Sequence, residues 1–393
     1  MDLVILCGGR GSRLKELTRN IPKPLIKICR RPFLDHLVSY YKKYNIENVY
    51  FLAGYRGNII KRKYDGKIQN CINFKVVVEK QPLGTGGALS LVKKKIKNDF
   101  LLINGDSFVN FNFKKFIRPL NGKSIRMLLV KKTNYASNKT LSNLAINKKK
   151  KIINFKLNSN LMNAGIYYVS KKIINTISKN KNISLENQIL PKLIENEKVE
   201  GDYTKDYFID IGLKTNLKKA NSTLFKTFTK KAAFLDRDGV LNYDKGYIYR
   251  YKDFKWMPES LKALRFLNYK NYYIFIVTNQ SGIARGYFNI NAFYKLHTKI
   301  KKTLDLNKIY IDDIEFCPHH PKFGIKVFKK KCMCRKPGNL MIKNIRNNWN
   351  IDFKNSFMIG DQLSDFECAK SMKLKFYFRE KNLLKQLKNI VNK

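Results

Sequence analysis

Two short apolar runs, each ending in a loop of small or acidic residues, constrain the fold of this chain most strongly. The first is DLVILCGGRGSRL at positions 2–14, and the second is AAFLDRDGVLN at positions 232–242. Such a run is typical of the first parallel strand of an α/β sheet, whose carboxyl end delivers side chains to a binding site. Because the pattern occurs twice, the sequence predicts two α/β domains.

Further apolar runs in both halves alternate with amphipathic stretches, which indicates mainly parallel sheets flanked by helices. The expected fold class is therefore α/β, with two Rossmann-like domains. We place the first domain at 1–222 and the second at 232–393. The linker is predicted at 223–231, near the end of the polar stretch TNLKKANSTLFKTFTKK. At 393 residues the chain is long enough for each domain to bury a core.

The formal net charge is +50, from 79 Lys and Arg against 29 Asp and Glu. The lysines are spread along the whole chain and no nucleic-acid-binding module is visible, so we expect no nucleic-acid partner. A basic surface of this kind attracts phosphorylated small molecules. No apolar run approaches the ~18 residues that a membrane helix needs, so we expect a cytoplasmic protein without membrane insertion. The sequence does not indicate an oligomeric state.

The first glycine loop, GGRGSRL, lacks the Gly-Lys-Ser/Thr of a Walker loop and the third glycine of the dinucleotide fingerprint. Its glycines would let backbone N–H groups surround phosphates, and Arg13 and Lys23 would add positive charge. Asp106 and Asp210 each end an apolar run, and two such carboxylates could hold Mg²⁺ between phosphates. Each aspartate alone is more often a loop or cap residue. The ordered set favours a nucleotide site.

This set resembles the sugar-1-phosphate nucleotidyltransferase family over about residues 1–220, and PLGTGGAL and YFIDIG look most like its guanylyltransferase branch for mannose- or heptose-type sugars. The resemblance implies GT-A-like folding and attack of a sugar phosphate on the α-phosphorus of a nucleoside triphosphate. It implies nucleotide contacts from Gly8, Gly9, Gly11, Ser12, Arg13, Lys23, Gln81, Gly84, Thr85, Gly86 and Gly87. It also implies Mg²⁺ on Asp106 and Asp210, a catalytic role for Arg13 and Lys23, and sugar contacts from Asn163 and Gly165. The Glu-Lys pair usual in the family is replaced by NFKLNSN, where Lys156 is the nearest match.

The second half carries a different set of residues. Asp236 and Asp238 lie two positions apart, so one could attack a phosphorus while the other protonates the leaving oxygen and then activates water. Thr278 and Asn279 end a second apolar run, and Asp361 follows a third. Because carboxylates gathered around a phosphate repel each other, Mg²⁺ and Lys336 are expected among them.

These motifs, in this order, resemble the haloacid dehalogenase (HAD) phosphatases. DRDGVLN, TNQSGIARGYF and the cysteine cluster narrow the resemblance to the D-glycero-D-manno-heptose 1,7-bisphosphate 7-phosphatases over about residues 232–380. By that resemblance Asp236 is the nucleophile, Asp238 is the acid/base, and Thr278 and Lys336 hold the phosphoryl group. Mg²⁺ would bind to Asp236, Asp361 and the main-chain carbonyl of Asp238. Substrate contacts are expected from Asn279, Gln280, Ser281, Arg285, Arg335 and Lys336.

The segment CPHHPKFGIKVFKKKCMCRKP contains three of the seven cysteines and two of the four histidines. Cys317 with His319, and Cys332 with Cys334, form two tight pairs of soft ligands, which suit one tetrahedral Zn²⁺. The alternative is two buried cysteines beside surface histidines. Since four protein ligands leave no open position, we expect a structural zinc that fixes the loop before Arg335 and Lys336. His320 is expected to lie outside the coordination shell.

Together the two resemblances predict a bifunctional enzyme of nucleotide-activated heptose biosynthesis, with a GDP-heptose product for a cell-surface glycan such as lipopolysaccharide. Its small-molecule partners would be phosphorylated sugars and a nucleoside triphosphate, preferably GTP. One alternative is an ADP-heptose route, or a histidinol-phosphate-type phosphatase fused to another sugar nucleotidyltransferase. An alternative of another class is a non-catalytic nucleotide-sugar sensor. The five aspartates at 106, 210, 236, 238 and 361 argue against a sensor.

Overall fold

The computed structural model contains two compact units, Met1–Leu224 and Phe225–Lys393. The expected α/β fold class is confirmed in both. The predicted sugar-phosphate contact at Lys156 lies outside the residues that the structure describes. The described residues are 1–14, 16–29, 31–69, 72–132, 142–147, 152–154, 160–325 and 327–392.

The first unit combines a large sheet with short helices and two small β-ladders. Its helices are α1 (Glu16–Arg19), α2 (Phe33–Tyr41), α3 (Gly57–Tyr64), α4 (Gly84–Gly87), α5 (Lys171–Thr176), α6 (Leu190–Glu195) and α7 (Lys214–Phe228). Its strands are β1 (Asp2–Leu6), β2 (Lys27–Ile28), β3 (Arg31–Pro32), β4 (Asn48–Ala53), β5 (Ile68–Gln69), β6 (Ile72–Val78), β7 (Phe100–Asn104), β8 (Ser107–Val109), β9 (Ile125–Lys131), β10 (Ser142–Ile146), β11 (Ile152–Asn154), β12 (Leu161–Val169), β13 (Val199–Thr204) and β14 (Phe208–Asp210).

The large sheet has the strand order β11-β10-β12-β7-β1-β4-β6-β5, with β9 pairing β12 and β13. Strands β7, β1, β4 and β6 are parallel neighbours, so their carboxyl ends meet at one edge. The central strands are buried on both faces, as the continuous apolar runs LVI and VYFLA require. β14 pairs antiparallel with β8 and sets Asp210 opposite Ser107. This pairing brings Asp210 close to Asp106, the other carboxylate of the predicted magnesium site.

The second unit is a five-stranded parallel sheet with the order β17-β16-β15-β18-β19. A parallel sheet needs a crossover between strands, and helices supply it here. The strands are β15 (Ala232–Leu235), β16 (Tyr273–Asn279), β17 (Asp313–Cys317), β18 (Phe357–Gly360) and β19 (Lys375–Phe378). The helices are α8 (Ser260–Tyr269), α9 (Ile290–Leu306), α10 (Leu340–Asn348), α11 (Leu363–Ser371) and α12 (Leu383–Val391).

The segment predicted as a linker, 223–231, is partly helical. Helix α7 continues to Phe228, and the boundary between the compact units falls within it, after Leu224. The segment contains neither Pro nor Gly, so nothing in its sequence ends the helix at 222. Strand β15 then begins at Ala232, where the sequence predicts the second domain to start.

Within the described residues, no helix is both long enough and apolar enough to cross a membrane.

Candidate active sites

The first glycine loop follows β1 and folds back tightly at Gly11. This residue has a φ of +64°, and a Cβ there would approach the Thr18 side chain to 2.9 Å. The Thr18 hydroxyl donates to the Gly11 carbonyl at 3.1 Å, and the Leu14 amide donates to the same carbonyl at 2.9 Å. Gly9, Ser12 and Arg13 are exposed beyond this turn. The loop is therefore tightly packed at Gly11, whereas Gly9, Ser12 and Arg13 are accessible to a ligand.

Lys23 joins the two carboxylates predicted to bind magnesium. Its ammonium donates to Asp106 and lies 3.7 Å from Oδ1 of Asp210. Lys23 itself is buried, and a Cβ at Gly212 would lie 2.7 Å from its Nζ atom. The structure thus brings together Lys23, Asp106 and Asp210, which are far apart in the sequence.

The pKa values of Lys23, Asp106 and Asp210 depend on one another. Burial raises the pKa of Asp210, the Asp106 carboxylate raises it further, and the result is about 6. Burial opposes ionisation of Asp106 as well, but the Lys23 ammonium outweighs it and lowers the Asp106 pKa. Burial would lower the pKa of Lys23, yet the two carboxylates raise it. One ammonium cannot neutralise two carboxylates, so the site retains an attraction for a cation.

The second glycine loop is packed against residues 181–186. Gly84 has a φ of +69°, and the amides of Gly86 and Gly87 donate to the Ile183 carbonyl at 2.8 and 3.0 Å. The Thr85 hydroxyl donates to Glu186 at 2.5 Å and accepts from the Leu185 amide at 2.8 Å. The Thr85 hydroxyl and the two amides are therefore used in holding the loop, although the sequence predicts nucleotide contacts for them.

The predicted base contact Gln81 is exposed, and its side-chain amide donates to the Asn180 carbonyl at 3.3 Å. The predicted sugar contacts are buried in β12. Asn163 donates to the Tyr167 hydroxyl at 2.5 Å and accepts from the Gly165 amide at 2.9 Å. The polar groups of the Asn163 side chain are therefore engaged in hydrogen bonds within β12.

Most of the residues predicted for the phosphatase site line a cavity of about 340 Å³ at the carboxyl edge of the second sheet. Asp236 follows β15, Thr278 lies in β16, and Asp361 follows β18. The predicted residues that line the cavity are Asp236, Asp238, Thr278, Asn279, Gln280, Ser281, Arg335, Lys336 and Asp361. Arg285 is not among the lining residues; its guanidinium lies 4.5 Å above the Phe323 ring.

Asp365 belongs to this site but is missing from the sequence prediction. Its Oδ1 atom lies 2.6 Å from Nζ of Lys336, and Lys336 also reaches Asp236 Oδ2 at 2.8 Å. Oxygen atoms of Asp236, Asp361 and Asp365 lie within 4.8 Å of one another, which suits a divalent cation. Asp365 also accepts from the amides of Asp361 and Gln362 at 3.2 Å each. The available signal was a second aspartate four positions after Asp361.

The pKa of Asp236, the predicted nucleophile, depends strongly on burial and on the charges around it. Burial raises the pKa of Asp236, Lys336 opposes that change, and Asp365 and Asp238 add to it, giving about 7. For Lys336, burial is outweighed by the two carboxylates, which raise its pKa. Asn279 fixes Lys336 in place, because its side chain accepts from the Lys336 amide at 3.0 Å and donates to the Lys336 carbonyl at 3.2 Å.

The Asp238 carboxylate is held by Arg237, a second residue that the sequence prediction missed. Arg237 is almost fully buried and donates to both carboxylate oxygens, at 2.7 Å to Oδ2 and 2.9 Å to Oδ1. Gln280 donates to Asp238 at 2.9 Å and to the Thr278 hydroxyl at 2.9 Å. Asn242 adds a contact to Asp238 at 2.9 Å. Gln280 therefore connects the predicted acid/base with a predicted phosphoryl-binding residue.

The four predicted zinc ligands converge. The Sγ–Sγ distances are 3.2 Å for Cys317–Cys334, 3.3 Å for Cys332–Cys334 and 3.6 Å for Cys317–Cys332. Nδ1 of His319 lies 3.2 Å from the Cys334 sulfur. A tetrahedron with Zn–S bonds of about 2.3 Å has edges of about 3.8 Å, so the set is only slightly contracted relative to a zinc site. His320 Nδ1 instead accepts from two backbone amides, those of residues 322 and 323.

Each site combines clustered carboxylates with a buried lysine, an arrangement suited to enzymes that act on phosphate esters. The sequence profile of the Nucleotidyl transferase family matches residues 3–227, and the chain belongs to that family. The profile of Polynucleotide kinase 3 phosphatase matches residues 231–381.

Named relatives match each half separately. The D-glycero-beta-D-manno-heptose-1,7-bisphosphate 7-phosphatase of Rhodopseudomonas palustris is 44% identical over 142 residues, which is 36% of this chain and 79% of the relative. The D-glycero-alpha-D-manno-heptose-1,7-bisphosphate 7-phosphatase of Campylobacter jejuni is 42% identical over 139 residues, 35% of this chain and 76% of the relative. The second half therefore belongs to the family of these phosphatases.

The D-glycero-alpha-D-manno-heptose 1-phosphate guanylyltransferase of Campylobacter jejuni is 34% identical over 217 residues, which is 54% of this chain and 95% of the relative. Among solved structures, HddC from Yersinia pseudotuberculosis complexed with GMP-PN is 30% identical, covers 57% of this chain and 99% of its own, and has a TM-score of 0.47.

Proposed function

We propose that this chain makes a nucleotide-activated heptose by two consecutive reactions. The second unit removes the 7-phosphate of D-glycero-D-manno-heptose 1,7-bisphosphate. The first unit transfers GMP from GTP to the resulting heptose 1-phosphate and releases pyrophosphate. One observation carries the proposal: a single chain contains two carboxylate–lysine sites, and the Campylobacter jejuni relatives of its two halves are named for successive steps on the same alpha sugar. The product would serve a cell-surface glycan such as lipopolysaccharide.

In the phosphatase reaction, a carboxylate oxygen of Asp236 attacks the phosphorus at the 7-position, and the bond from phosphorus to the sugar oxygen breaks. Asp238 gives a proton to the departing oxygen, and Arg237 and Gln280 hold it for this task. Asp238 then removes a proton from water, whose oxygen attacks the phosphorus and releases Asp236 and phosphate. Lys336 neutralises the phosphoryl oxygens. Asp236, Asp361 and Asp365, with the main-chain carbonyl of Asp238, would hold Mg²⁺, which supplies further charge neutralisation.

In the transferase reaction, an oxygen of heptose 1-phosphate attacks the α-phosphorus of GTP, and the bond to the β-phosphate oxygen breaks. The main tasks of the protein are positioning and charge neutralisation. The exposed side of the 8–13 loop would receive the triphosphate, and Arg13 and Lys23 would neutralise it. Asp106 and Asp210 would hold Mg²⁺, whose charge stabilises the transition state.

The choice of anomer rests on the pair of Campylobacter jejuni relatives, both named for the alpha sugar and matching the two halves. We therefore favour GDP-D-glycero-α-D-manno-heptose as the product. The relative from Rhodopseudomonas palustris is named for the beta anomer at similar identity, which supports an ADP-heptose route as the second candidate.

One assay tests these alternatives. The full chain is supplied with Mg²⁺, each anomer of heptose 1,7-bisphosphate, and GTP or ATP, and the products are resolved by mass. We expect phosphate, pyrophosphate and GDP-heptose from the alpha anomer. ADP-heptose from the beta anomer would establish the second candidate. Phosphate release without any nucleotide sugar would refute the transferase half of the proposal.

We propose that the cluster of Cys317, His319, Cys332 and Cys334 binds one structural Zn²⁺. Elemental analysis should then find about one zinc per chain, as a closed four-ligand site requires. The variant Cys332→Ser should lose the zinc and lower the melting temperature of the second unit. Only Arg335 separates Cys334 from Lys336, so phosphatase activity should fall as well.

The transferase of Cys332→Ser should be almost unchanged, and Cys368→Ser serves as its matched control, since that buried cysteine lies outside the cluster. A catalytic zinc would behave differently, because activity would be lost without loss of stability. Metal-free protein with full phosphatase activity and unchanged melting would contradict both roles.

A further inference from the structure

His297 is a polar residue on the buried face of α9. The other buried residues of this helix are Phe293, Leu296, Ile300 and Leu304, and their spacing of three and four positions places them on the same face. His297 is only 2% exposed, so its imidazole occupies a position in the core. Burial of a polar group is costly unless the group is hydrogen-bonded. The hydrogen-bond partner of this imidazole therefore indicates its role.

The partner of His297 is the buried guanidinium of Arg237. Nη1 of Arg237 lies 3.3 Å from Nε2 of His297. A guanidinium can only donate, so Nε2 accepts and the proton of the neutral imidazole is on Nδ1. Burial lowers the pKa of His297 well below its usual range, and the Arg237 charge lowers it further, which agrees with a neutral ring. Nδ1 meets no hydrogen-bond partner among the residues that the structure describes, so the bond to Arg237 is the one polar contact of the ring there.

The guanidinium of Arg237 is held on two sides. Its Nε and Nη2 atoms face the Asp238 carboxylate, at 3.1 Å from Oδ1 and 2.7 Å from Oδ2. Nη2 also donates to the Ile248 carbonyl at 3.2 Å and to Oε1 of Gln280 at 3.3 Å. Nη1 lies on the opposite side of the planar group, where His297 is its only acceptor within the described part of the chain. Because the guanidinium is planar, contacts on both sides fix its plane and the two bonds to Asp238.

The ring of Phe293 supports this arrangement. Its centroid lies 4.2 Å from that of the His297 ring, and Cζ of Arg237 lies 6.0 Å from it. Phe293 in turn stacks on Phe316 of β17, with the centroids 4.1 Å apart. This packing holds the imidazole in place, so Nε2 presents a fixed acceptor to the guanidinium.

We propose that His297 is a positioning residue of the phosphatase, which acts through Arg237 on Asp238. The contacts run from α9 to the imidazole, then to the guanidinium, and then to the carboxylate that exchanges the proton. The inference rests on the proposed function, in which Asp238 protonates the departing sugar oxygen. Without the Nε2 acceptor, Nη1 would be buried without a partner, so the guanidinium would move to find one and the carboxylate would move with it.

The test compares two variants of the full chain, His297→Leu, which removes the acceptor, and His297→Gln, whose side-chain oxygen can accept in place of Nε2. A small displacement of a catalytic group is costly, so kcat of His297→Leu on heptose 1,7-bisphosphate should fall roughly 10- to 100-fold. KM should stay within about two-fold, because no substrate contact is lost. His297→Gln should keep kcat within about three-fold of the wild type, since the acceptor is restored.

Dependence on the leaving group separates positioning of Asp238 from a general loss of structure. An aryl ester such as p-nitrophenyl phosphate has a weakly basic leaving oxygen, which needs little help from a general acid. The ratio kcat/KM reports the steps up to departure of that oxygen. In His297→Leu it should fall roughly 10- to 100-fold for the sugar ester and less than about three-fold for the aryl ester. Leu296→Ala, at a buried position of the same helix, is the matched control; it should lower the melting temperature and change both substrates by one factor.

Three results would overturn the inference: a normal kcat in folded His297→Leu, equal losses in the Leu and Gln variants, or equal losses with both substrates. If the aryl ester is not turned over by the wild type, the comparison of the two variants on the sugar ester decides. If His297→Leu shows no melting transition, His297→Met takes its place. A wild type that acts on other sugar phosphates but not on heptose 1,7-bisphosphate would refute the proposed substrate alone, and the variants would then be compared on those esters.

Discussion

Asp236→Asn should abolish the release of phosphate from heptose 1,7-bisphosphate, by a factor of at least ~10³, because an amide cannot form the phosphoenzyme. The substitution keeps the size of a side chain that is buried against Lys336 and Asp365. Transfer of GMP to supplied heptose 1-phosphate should remain within about two-fold of the wild type, since none of the transferase residues belongs to the second unit. Phosphate and pyrophosphate are measured separately in the same preparation.

Asp253→Asn is the matched control, since this partly exposed aspartate of the same unit forms a surface ion pair with Arg250. It should retain both activities. Loss of both activities in folded Asp236→Asn would contradict the independence of the two sites. Substantial phosphate release by that variant would show that another residue is the nucleophile.

Asp106→Asn and Asp210→Asn should each lower the formation of pyrophosphate by at least ~10²-fold and leave the phosphatase intact. Each variant removes one of the two negative charges that would hold Mg²⁺ beside the α-phosphate. Lys23 would then face a single carboxylate, which it can neutralise fully, so the attraction for a dication is lost. The measurement is release of pyrophosphate from GTP and heptose 1-phosphate at several Mg²⁺ concentrations.

Asp206→Asn is the control here, because this aspartate lies on the exposed turn before β14 and bonds locally to Thr204. It should behave as the wild type. If both Asp106→Asn and Asp210→Asn transferred GMP at nearly normal rates, the metal site would have to be built from other residues.

Much of both sites was predictable because parallel strands end at a common edge. This rule alone brings Asp236, Thr278 and Asp361 together from three separate apolar runs. Asp210 is a harder case, since it reaches Asp106 through the antiparallel pairing of β14 with β8 across a hundred residues of sequence. The role of Asp210 was predicted from the family resemblance, because the local sequence pattern indicated only that this residue ends a strand.

The residues that the sequence did not reveal differ in their physical setting. Asp365 lies in the first turn of α11, where aspartates commonly serve as helix caps, and only its complete burial against Lys336 shows a second role. Arg237 stands between two aspartates, and its sequence position does not tell that its charge is buried. Thr85 and Gln81 have the right chemistry for a base, but the fold uses their hydrogen bonds locally. Burial and competition for partners are properties of the folded chain.

The position of Lys23 between Asp106 and Asp210 has a thermodynamic consequence. While the ammonium holds both carboxylates, it acts as their counter-ion and competes with any dication for the same oxygens. If the triphosphate draws Lys23 toward itself, as its proposed role requires, nucleotide binding raises the affinity for metal. Linkage then demands that metal raise the affinity for nucleotide by the same factor. Cation and triphosphate would therefore bind cooperatively, each more tightly in the presence of the other.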